Sequence, residues 1–143
     1  MKNERIRPIA ICVCRNEHRI LVAEMYDSVK KETFYRPLGG TIEFGERGEE
    51  AVRREFLEEI GAELQDIKYL GTLENIFTCD GVRGHEIVLV YDGTLADRSL
   101  YAKNIIQGDE MGMDFKAYWK SLSEFSPGMP PVYPDGLRDL LEK

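Results

Sequence analysis

A charged segment with regularly placed glycines, residues 40–62, constrains this chain more than any other stretch of its sequence. It reads GTIEFGERGEEAVRREFLEEIGA, and residue 39 is also a glycine. The first part is short and apolar, and a turn-forming glycine, Gly45, separates it from the charged part. The segment therefore predicts a short strand or loop, then a turn, then a helix over residues 48–60.

The helix at residues 48–60 is predicted by composition and by spacing. No proline interrupts it, and most of its residues are good helix formers: Glu, Arg, Ala and Leu. Val52, Phe56 and Ile60 recur every fourth residue and form an apolar stripe. Gly61 stands where a residue in the left-handed conformation ends a helix. We therefore expect an amphipathic helix that ends at Ile60.

Three glutamates of this predicted helix share one face, because Glu55, Glu58 and Glu59 occupy positions i, i+3 and i+4. Three carboxylates within ~6 Å of each other repel by about 1 to 4 kcal/mol per pair. A divalent cation removes this conflict, and Mg²⁺ prefers oxygen ligands. The spacing indicates a metal site. The alternative is a solvated helix face, which accounts for most acid-rich helices.

The same stretch resembles the Nudix box, G-x₅-E-x₇-R-E-U-x-E-E-x-G-U, in which U is a bulky aliphatic residue. All seven fixed positions are matched, by Gly40, Glu46, Arg54, Glu55, Glu58, Glu59 and Gly61. Chance would produce seven matches at roughly one start position in 10⁷ to 10⁹. Two variable positions depart mildly from the pattern, since Phe56 replaces an aliphatic residue and Ala62 is small.

The resemblance implies a metal-dependent hydrolase that cleaves a pyrophosphate bond in a nucleoside diphosphate linked to another group. The implied cofactor is Mg²⁺ or Mn²⁺, and the implied partner is a small nucleotide-like substrate. The implied metal ligands are the Gly40 carbonyl and the carboxylates of Glu55, Glu58 and Glu59. Among the glutamates with catalytic roles, Glu58 would act as a further ligand or as the general base. A non-catalytic nucleotide-binding module is the alternative.

Two further residues of the box have an implied orienting role. Arg54 would hold the carboxylate of Glu46 with two parallel hydrogen bonds and so fix the helix against the preceding loop. A further acidic residue upstream of a Trp-containing strand joins the metal site in many Nudix hydrolases. Glu110 is the candidate in this chain and Asp109 the second choice, and a plain loop acid is an equal alternative.

Strand-like runs surround the box and complete the predicted fold. They cover residues 6–14, 19–25, 64–78, 85–95 and 115–119. Residues 26–33 and 97–108 are predicted to be loops, the first at the rim of the site. Residues 133–143 are predicted to form a closing helix with Pro134 in its first turn. Strands and helices in this order favour a single α/β domain over residues 1–143, and the resemblance implies an α/β/α sandwich with a central mixed sheet.

The sequence assigns no firm role in the site to several polar and aromatic residues outside the box. His85 and Glu86 are interpreted as a solvated strand start, with a contact in the site as the alternative. Arg36 and Arg47 are interpreted as solvated arginines, with a contact to substrate phosphates as the alternative. The aromatic residues available as a wall for a nucleotide base, most of them expected in the core, are Phe34, Tyr35, Phe77, Tyr118 and Trp119. The residues downstream of the box carry neither of two family cues for substrate class, so the sequence leaves the substrate open.

Composition and charge limit the class of protein. The chain has 143 residues, 43% hydrophobic and 31% charged, which is ordinary for a globular domain. Its formal net charge of −7 argues against an extended nucleic-acid surface or a broad contact with anionic membranes. The sequence holds no run of 18 apolar residues, and MKNERIRP does not resemble a signal peptide. We expect a cytoplasmic protein, and a homodimer stays open.

The three cysteines do not suggest a disulfide or a zinc site. Cys12 and Cys14 lie two residues apart in an apolar run, so their side chains point the same way on a strand. Together with Cys79 they form an odd set without a Cys-x-x-Cys motif, and His18 and His85 lack metal-ligand spacing. We expect Cys12 and Cys14 to be buried, reduced thiols.

Overall fold

The chain forms one mixed sheet of eight strands in a computed structural model that describes residues 4–143. The strands are β1 (Ile6–Asn16), β2 (Arg19–Asp27), β3 (Glu32–Arg36), β4 (Gly39–Thr41), β5 (Leu64–Cys79), β6 (Val82–Leu95), β7 (Ile105–Glu110) and β8 (Met113–Ser121). The helices are α1 (Gly48–Ile60) and α2 (Leu137–Leu141), with 3₁₀ helices at Arg98–Ala102 and Leu122–Phe125. Residues 1–3, part of the segment predicted not to be a signal peptide, lie outside the described residues.

The order of the strands is β5-β6-β1-β2-β8-β7, with β3 paired to β2 and β4 paired to β1. Within the described chain, β1 and β6 are the one parallel pair, and the others are antiparallel. A parallel pair needs a long crossover connection, and here that connection contains α1. The sheet is therefore mixed, as predicted.

Helices cover both faces of this sheet. Side chains along β1 alternate between the two faces and enter a separate core on each side. Cys12 and Cys14 pack under α1 beside Phe56. Ile11 and Val13 face the other way, into the core that α2 closes. Both cysteines are buried and free, which confirms that part of the prediction. The α/β fold with a central mixed sheet is confirmed as well.

Helix α1 has the predicted bounds and a well-defined end. At its start, the Glu50 carboxylate accepts a hydrogen bond of 2.8 Å from the backbone N–H of Arg47. At its end, Gly61 adopts the left-handed conformation with φ of 65°, and its N–H donates to the Leu57 carbonyl at 3.1 Å. Phe56 is fully buried at the centre of the apolar stripe. The box helix is thus anchored to the sheet by its apolar face.

A cleft opens where β1 and β2 separate. These strands pair only beside their turn, at Arg15 with Ile20 and at Asn16 with Arg19. Farther along, β1 pairs with β4, and β2 pairs with β3. Side chains from both halves of the sheet line the resulting cleft, and α1 borders it.

The predicted rim loop at residues 26–33 is largely wrong. Strand β2 continues to Asp27, and β3 begins at Glu32. The Asp27 carboxylate closes the short turn between them, since it accepts hydrogen bonds from the N–H groups of Val29 and Lys30, both at 3.0 Å. It also accepts one from Asp80 at 3.2 Å, so the turn lies against the β5–β6 hairpin and not at the cleft.

Two further expectations need correction. Residues 97–108 contain a 3₁₀ helix and most of β7, whose polar edge-strand sequence resembles a loop although Ile106 is buried against the sheet. The closing helix α2 starts only at Leu137, because Gly136 before it is left-handed with φ of 86°. Pro134 therefore precedes the helix. No helix within residues 4–143 is long and apolar enough to span a membrane.

Candidate active site

The cleft between the two halves of the sheet has a volume of about 850 Å³ and gathers most of the predicted site residues. Its acidic lining consists of Glu43, Glu55, Glu58, Glu59, Glu86, Asp109 and Glu110. Its basic lining consists of Arg7, Arg36 and Arg54, and the glycine pair of β4 forms part of its wall. Charges of both signs thus converge from α1, from four strands (β1, β3, β6 and β7) and from the loop after β4.

Gly40 and Glu55 approach so closely that a side chain at residue 40 would displace the Glu55 carboxylate. A Cβ added to Gly40 would lie 2.5 Å from the Glu55 Cδ atom and 2.6 Å from its Oε1 atom. A bare backbone therefore stands directly opposite a carboxylate of the helix. The structure brings together the two residues that the box predicts as oxygen donors on separate elements.

Arg54 is the centre of the hydrogen-bond network in this site. Its Nε and Nη2 atoms donate to the two carboxylate oxygens of Glu46 at 2.8 and 3.0 Å, in a forked contact. Its Nη2 atom also donates to the Thr41 carbonyl at 3.0 Å, and Nη1 donates to Glu55 at 2.9 Å and Glu58 at 3.2 Å. Arg54 thereby ties α1 to β4 and to the turn that follows it.

This network shifts the ionisation of its members. The hydrogen bonds from Arg54 hold the pKa of Glu46 below its ordinary value. Glu46, Glu55 and Glu58 in turn raise the pKa of Arg54 far above its ordinary value. The guanidinium therefore stays charged, and it neutralises part of the negative charge on this face of α1.

Glu59 carries the least compensated carboxyl group of the site. Glu59 is only 7% exposed. The pKa of its carboxyl group is raised from 4.5 to about 9, and burial is the largest cause. The hydrogen bond with Glu55 and the negative charges of Glu110 and Glu55 contribute to the same rise. Only Arg36 opposes this shift noticeably. The repulsion expected from the spacing of the acids is therefore present, concentrated on one buried group.

The oxygen donors fit a hard divalent cation in chemistry, although they are not already arranged as a coordination shell. Within residues 4–143, no three His, Cys, Asp or Glu side chains are placed as ready metal ligands. The reason is visible in the network, because Glu55 and Glu58 are turned toward Arg54. The Gly40 backbone, Glu55 and the uncompensated Glu59 nevertheless supply the oxygen-only donors that Mg²⁺ prefers.

Glu110 and Asp109 both lie at the cleft but differ in what they contact. The Asp109 carboxylate accepts a hydrogen bond of 2.7 Å from the Gly112 N–H and so closes the β7–β8 turn. Glu110 raises the pKa of Glu59, which places its charge near the box carboxylates. Asp109 is thus engaged in the turn, and Glu110 stays the first candidate for the further acidic residue of the site.

Sequence reasoning missed a second charged group in the cleft. Glu86 was expected to be solvated but is 2% exposed, with Arg7 and Arg36 beside it. The signal was available, because Val88 and Val90 alternate with it along β6 and are also buried. Arg36 lines the cleft with a side chain that is 26% exposed, so the expectation of a solvated arginine is wrong there.

The aromatic candidates for a base-binding wall lie elsewhere. None of the five, Phe34, Tyr35, Phe77, Tyr118 and Trp119, lines the cleft. Trp119 is buried, and its Nε1 atom donates to the Leu100 carbonyl at 3.1 Å. Phe115 of β8 and Met111 at the β7–β8 turn line the cleft instead. Arg47, at the start of α1, is exposed as expected.

The mixed sheet with helices on both faces, the box helix and its carboxylates opposite a bare glycine define a protein of the Nudix class. The family model for the NUDIX domain matches residues 5–140. The chain belongs to the NUDIX family, which confirms the resemblance drawn from the box.

Similar proteins agree with this assignment. The chain is 32% identical over 126 residues to the NAD-capped RNA hydrolase NudC of Pasteurella multocida, covering 88% of this chain and 42% of that protein. It is 37% identical over 68 residues to NudC of Vibrio atlanticus, covering 48% of this chain and 24% of that protein. The chain thus spans about two fifths or less of the length of these relatives.

Solved structures share the fold at low identity. A MutT NUDIX hydrolase from Burkholderia pseudomallei matches with a TM-score of 0.69 and 20% identity, covering 97% of this chain and 98% of that one. A NUDIX hydrolase from Nitrosomonas europaea matches with a TM-score of 0.68 and 18% identity, covering 96% and 87%. At this identity, the likeness is evidence of the fold alone.

Proposed function

We propose that residues 1–143 form one enzyme domain that hydrolyses a pyrophosphate bond in a nucleoside diphosphate linked to another group, with Mg²⁺ or Mn²⁺ as cofactor. The observation that carries the proposal is the close approach of Gly40 to Glu55, beside a buried, uncompensated Glu59. A cation and a phosphorylated substrate would relieve both the crowding of negative charge and the burial of Glu59.

The residues of the cleft would divide the work between binding and proton transfer. The proposed metal ligands are the Gly40 carbonyl and the carboxylates of Glu55, Glu58, Glu59 and Glu110. When bound, the ion would supply positive charge to the phosphoryl oxygens, where negative charge accumulates during phosphoryl transfer. Glu55 or Glu58 would accept the proton of the attacking water on a carboxylate oxygen.

Arg54 and Glu46 would act as positioning residues. Their forked hydrogen bonds hold α1 against the turn after β4, so that Glu55 stays opposite Gly40. Such positioning matters because displacement of a catalytic group by about 1 Å can cost roughly 10²-fold in rate. Arg36, which lines the same cleft as these carboxylates, would bind a substrate phosphate.

The relatives suggest which compounds to test first. Two curated relatives carry the name NAD-capped RNA hydrolase, and NAD joins two nucleosides through a pyrophosphate. We therefore include NAD⁺ in the substrate class proposed here, beside nucleotide sugars and dinucleoside polyphosphates. The cytoplasmic location stays a prediction from the sequence, and a homodimer stays open.

A non-catalytic nucleotide-binding module is the second candidate. It would need the same cleft but none of the carboxylates at Glu55, Glu58 and Glu59. All three are present, and Arg54 contacts two of them, Glu55 and Glu58. Their presence supports the enzyme because loss of catalysis commonly removes such residues.

The test incubates the protein with a panel of these compounds in the presence of Mg²⁺, Mn²⁺ or EDTA. Hydrolysis is measured as release of phosphate or nucleotide. We expect turnover that needs the metal and rises on the alkaline side of neutrality. Glu63→Gln, which changes an exposed acid beyond the helix, serves as the matched control for changes in the box. Turnover that is indifferent to EDTA would contradict the proposal, and binding of the panel without hydrolysis would favour the binding module.

A further inference from the structure

Glu86 on β6 is a buried carboxylate without a full set of partners. Its Oε1 atom is buried and accepts no hydrogen bond, the one such side-chain oxygen or nitrogen in the part of the chain that the structure describes. The residue is 2% exposed and lines the cleft at some distance along the chain from the box. A buried acceptor without a donor destabilises the fold, more so when it is charged, so its presence at the wall of a cleft calls for a donor from a ligand.

Two arginines flank Glu86 without hydrogen-bonding to it. The Arg36 Nη2 atom lies 3.8 Å from the Glu86 Oε1 atom, and the Arg7 Nη1 atom lies 3.8 Å from Oε2. Arg7 is fixed by a second contact, since its Nη2 atom donates to the Thr41 Oγ1 atom at 3.0 Å. The two arginines balance the charge of the carboxylate, but neither donates a hydrogen bond to it, so the carboxylate can still accept one.

The charged groups follow one another along the cleft. Arg36 acts on Glu59 of the box helix, whose pKa it lowers, and it also lies beside Glu86. All three residues line the same cleft. A phosphate held by Arg36 would have its next substituent near the Glu86 carboxylate, since the ion-pair distance of 3.8 Å and a further hydrogen bond of about 2.8 Å together span roughly 7 Å.

We propose that Glu86 accepts a hydrogen bond from a ribose hydroxyl group of the substrate and thereby makes this protein prefer ribonucleotides over deoxyribonucleotides. This inference rests on the proposed function, because it takes the substrate to be a nucleotide held at the same cleft. A carboxylate that binds a ribose hydroxyl is an established solution in dinucleotide-binding proteins of another fold.

Other ligand groups fit this position less well. A phosphate oxygen would be repelled by the carboxylate, so Glu86 is not itself a phosphate-binding residue. A ribose directly follows the phosphate in a nucleotide, whereas the base lies farther from it. A buried carboxylate without a hydrogen-bond donor suits an O–H group, and a site built around such a contact rejects an analogue that lacks the hydroxyl.

The experiment measures binding of nucleoside 5′-monophosphates, which contain no pyrophosphate bond and so report on binding independently of hydrolysis. The probes are the ribonucleotides of the four RNA bases, with their 2′-deoxy and 3′-deoxy counterparts, titrated calorimetrically in the presence of Mg²⁺. The variants are Glu86→Met, which keeps the length but removes the acceptor, and Glu86→Gln, which keeps an uncharged acceptor. Glu74→Met, on the exposed side of neighbouring β5, is the matched control.

We expect the parent protein to bind at least one ribonucleotide about 10- to 100-fold more tightly than one of its deoxy counterparts. Glu86→Met should bind both forms with the affinity that the parent has for the deoxy form, and Glu86→Gln should lie between. Glu74→Met should match the parent. The loss should therefore appear only with ligands that carry the hydroxyl.

Four outcomes would overturn the inference. They are equal binding of ribose and deoxyribose forms by the parent, unchanged discrimination in Glu86→Met, no binding of any monophosphate, and a Glu86-dependent preference that follows the base instead of the sugar. Should Glu86→Met fail to fold, Glu86→Gln and the parent still decide the question. A parent that hydrolyses the pyrophosphate panel but ignores the sugar would leave the proposed function standing while this inference fails.

Discussion

Glu59 is the residue in which burial and charge conflict most strongly. The ordinary pKa of its carboxyl group is 4.5, and in the folded protein it rises to about 9 through burial and neighbouring carboxylates. A raised pKa of an acid means that the folded state favours the neutral form. The metal-free protein should therefore lose stability as the pH rises from about 5 toward 9, when this group must ionise inside the fold.

The substitution Glu59→Gln tests this conflict. The amide keeps the shape of the side chain but has no charge to bury, so the metal-free variant should be about 0.5 to 2 kcal/mol more stable at pH 8 and less sensitive to pH. Its activity should fall by roughly 10²-fold or more, because a proposed metal ligand is lost. Thermal melts from pH 5 to 9 in EDTA, with Glu63→Gln as control, measure the first effect. A destabilised metal-free variant would mean that Glu59 is a structural partner.

Arg54→Lys is a second test on a single side chain. Lysine keeps the positive charge but cannot make the forked contact with Glu46 while also reaching Thr41 and Glu55. We expect activity to fall by about 10-fold or more while the protein stays folded. Steady-state kinetics and circular dichroism check both parts, beside Arg138→Lys in an exposed pair on α2. Activity and metal affinity equal to those of the parent would contradict the positioning role.

The two adjacent glycines of β4 serve different purposes, since Gly39 faces the backbone of β1 and Gly40 faces the Glu55 side chain of the site. A Cβ at Gly39 would collide with the Ala10 carbonyl and lie 2.7 Å from the Ile11 Cα atom, both backbone groups of β1. A Cβ at Gly40 would meet only the side chain of Glu55, which can move. The two glycines therefore differ in what a methyl group would displace.

The corresponding prediction is that two equivalent substitutions have different effects. Gly39→Ala should destabilise the protein by about 1 to 3 kcal/mol, because the pairing of β4 with β1 must shift. Gly40→Ala should change stability by less than that but lower activity by about 10-fold or more, because Glu55 is pushed from its position. Chemical denaturation and kinetics on both variants decide the matter. Equal losses of stability would show that β4 responds as one unit.

At the level of the whole molecule, the sheet holds together a cleft that gathers negative charge. Glu43, Glu55, Glu58, Glu59 and Glu110 line it, in a chain whose net charge is −7. A cation that binds the folded cleft and not the unfolded chain stabilises the fold by mass action. The parent protein should thus gain about 2.7 kcal/mol when Mg²⁺ reaches a hundred times its dissociation constant.

Melting curves over a range of Mg²⁺ concentrations at constant ionic strength measure this gain. Glu59→Gln should gain less than the parent at every concentration, whereas Glu63→Gln should follow the parent. A melting temperature that ignores Mg²⁺ would argue against a metal site and would restore the solvated-helix interpretation of the box.

Local patterns predicted much of this architecture, and polar edges caused the errors. The bounds of α1 followed from helix formers and from Gly61, and the cores on either side of β1 from alternation. Strand β7 was missed because an edge strand carries polar residues and gains its stability from pairing with β8. The late start of α2 was missed because the apolar stripe of residues 133–143 does not show that Gly136, just before the helix, adopts a left-handed conformation.

The sequence by itself determined the chemistry of the box, because Arg54, Glu55, Glu58 and Glu59 lie within two helical turns and their spacing places them side by side. The tertiary structure alone decided what faces them. Glu86, Arg7 and Arg36 come from three different strands, and only the separation of β1 from β2 brings them into one cleft. A polar residue near the start of a strand resembles a solvated one until the strands beside it are known, because strand pairing across the sheet, not local spacing, decides its burial.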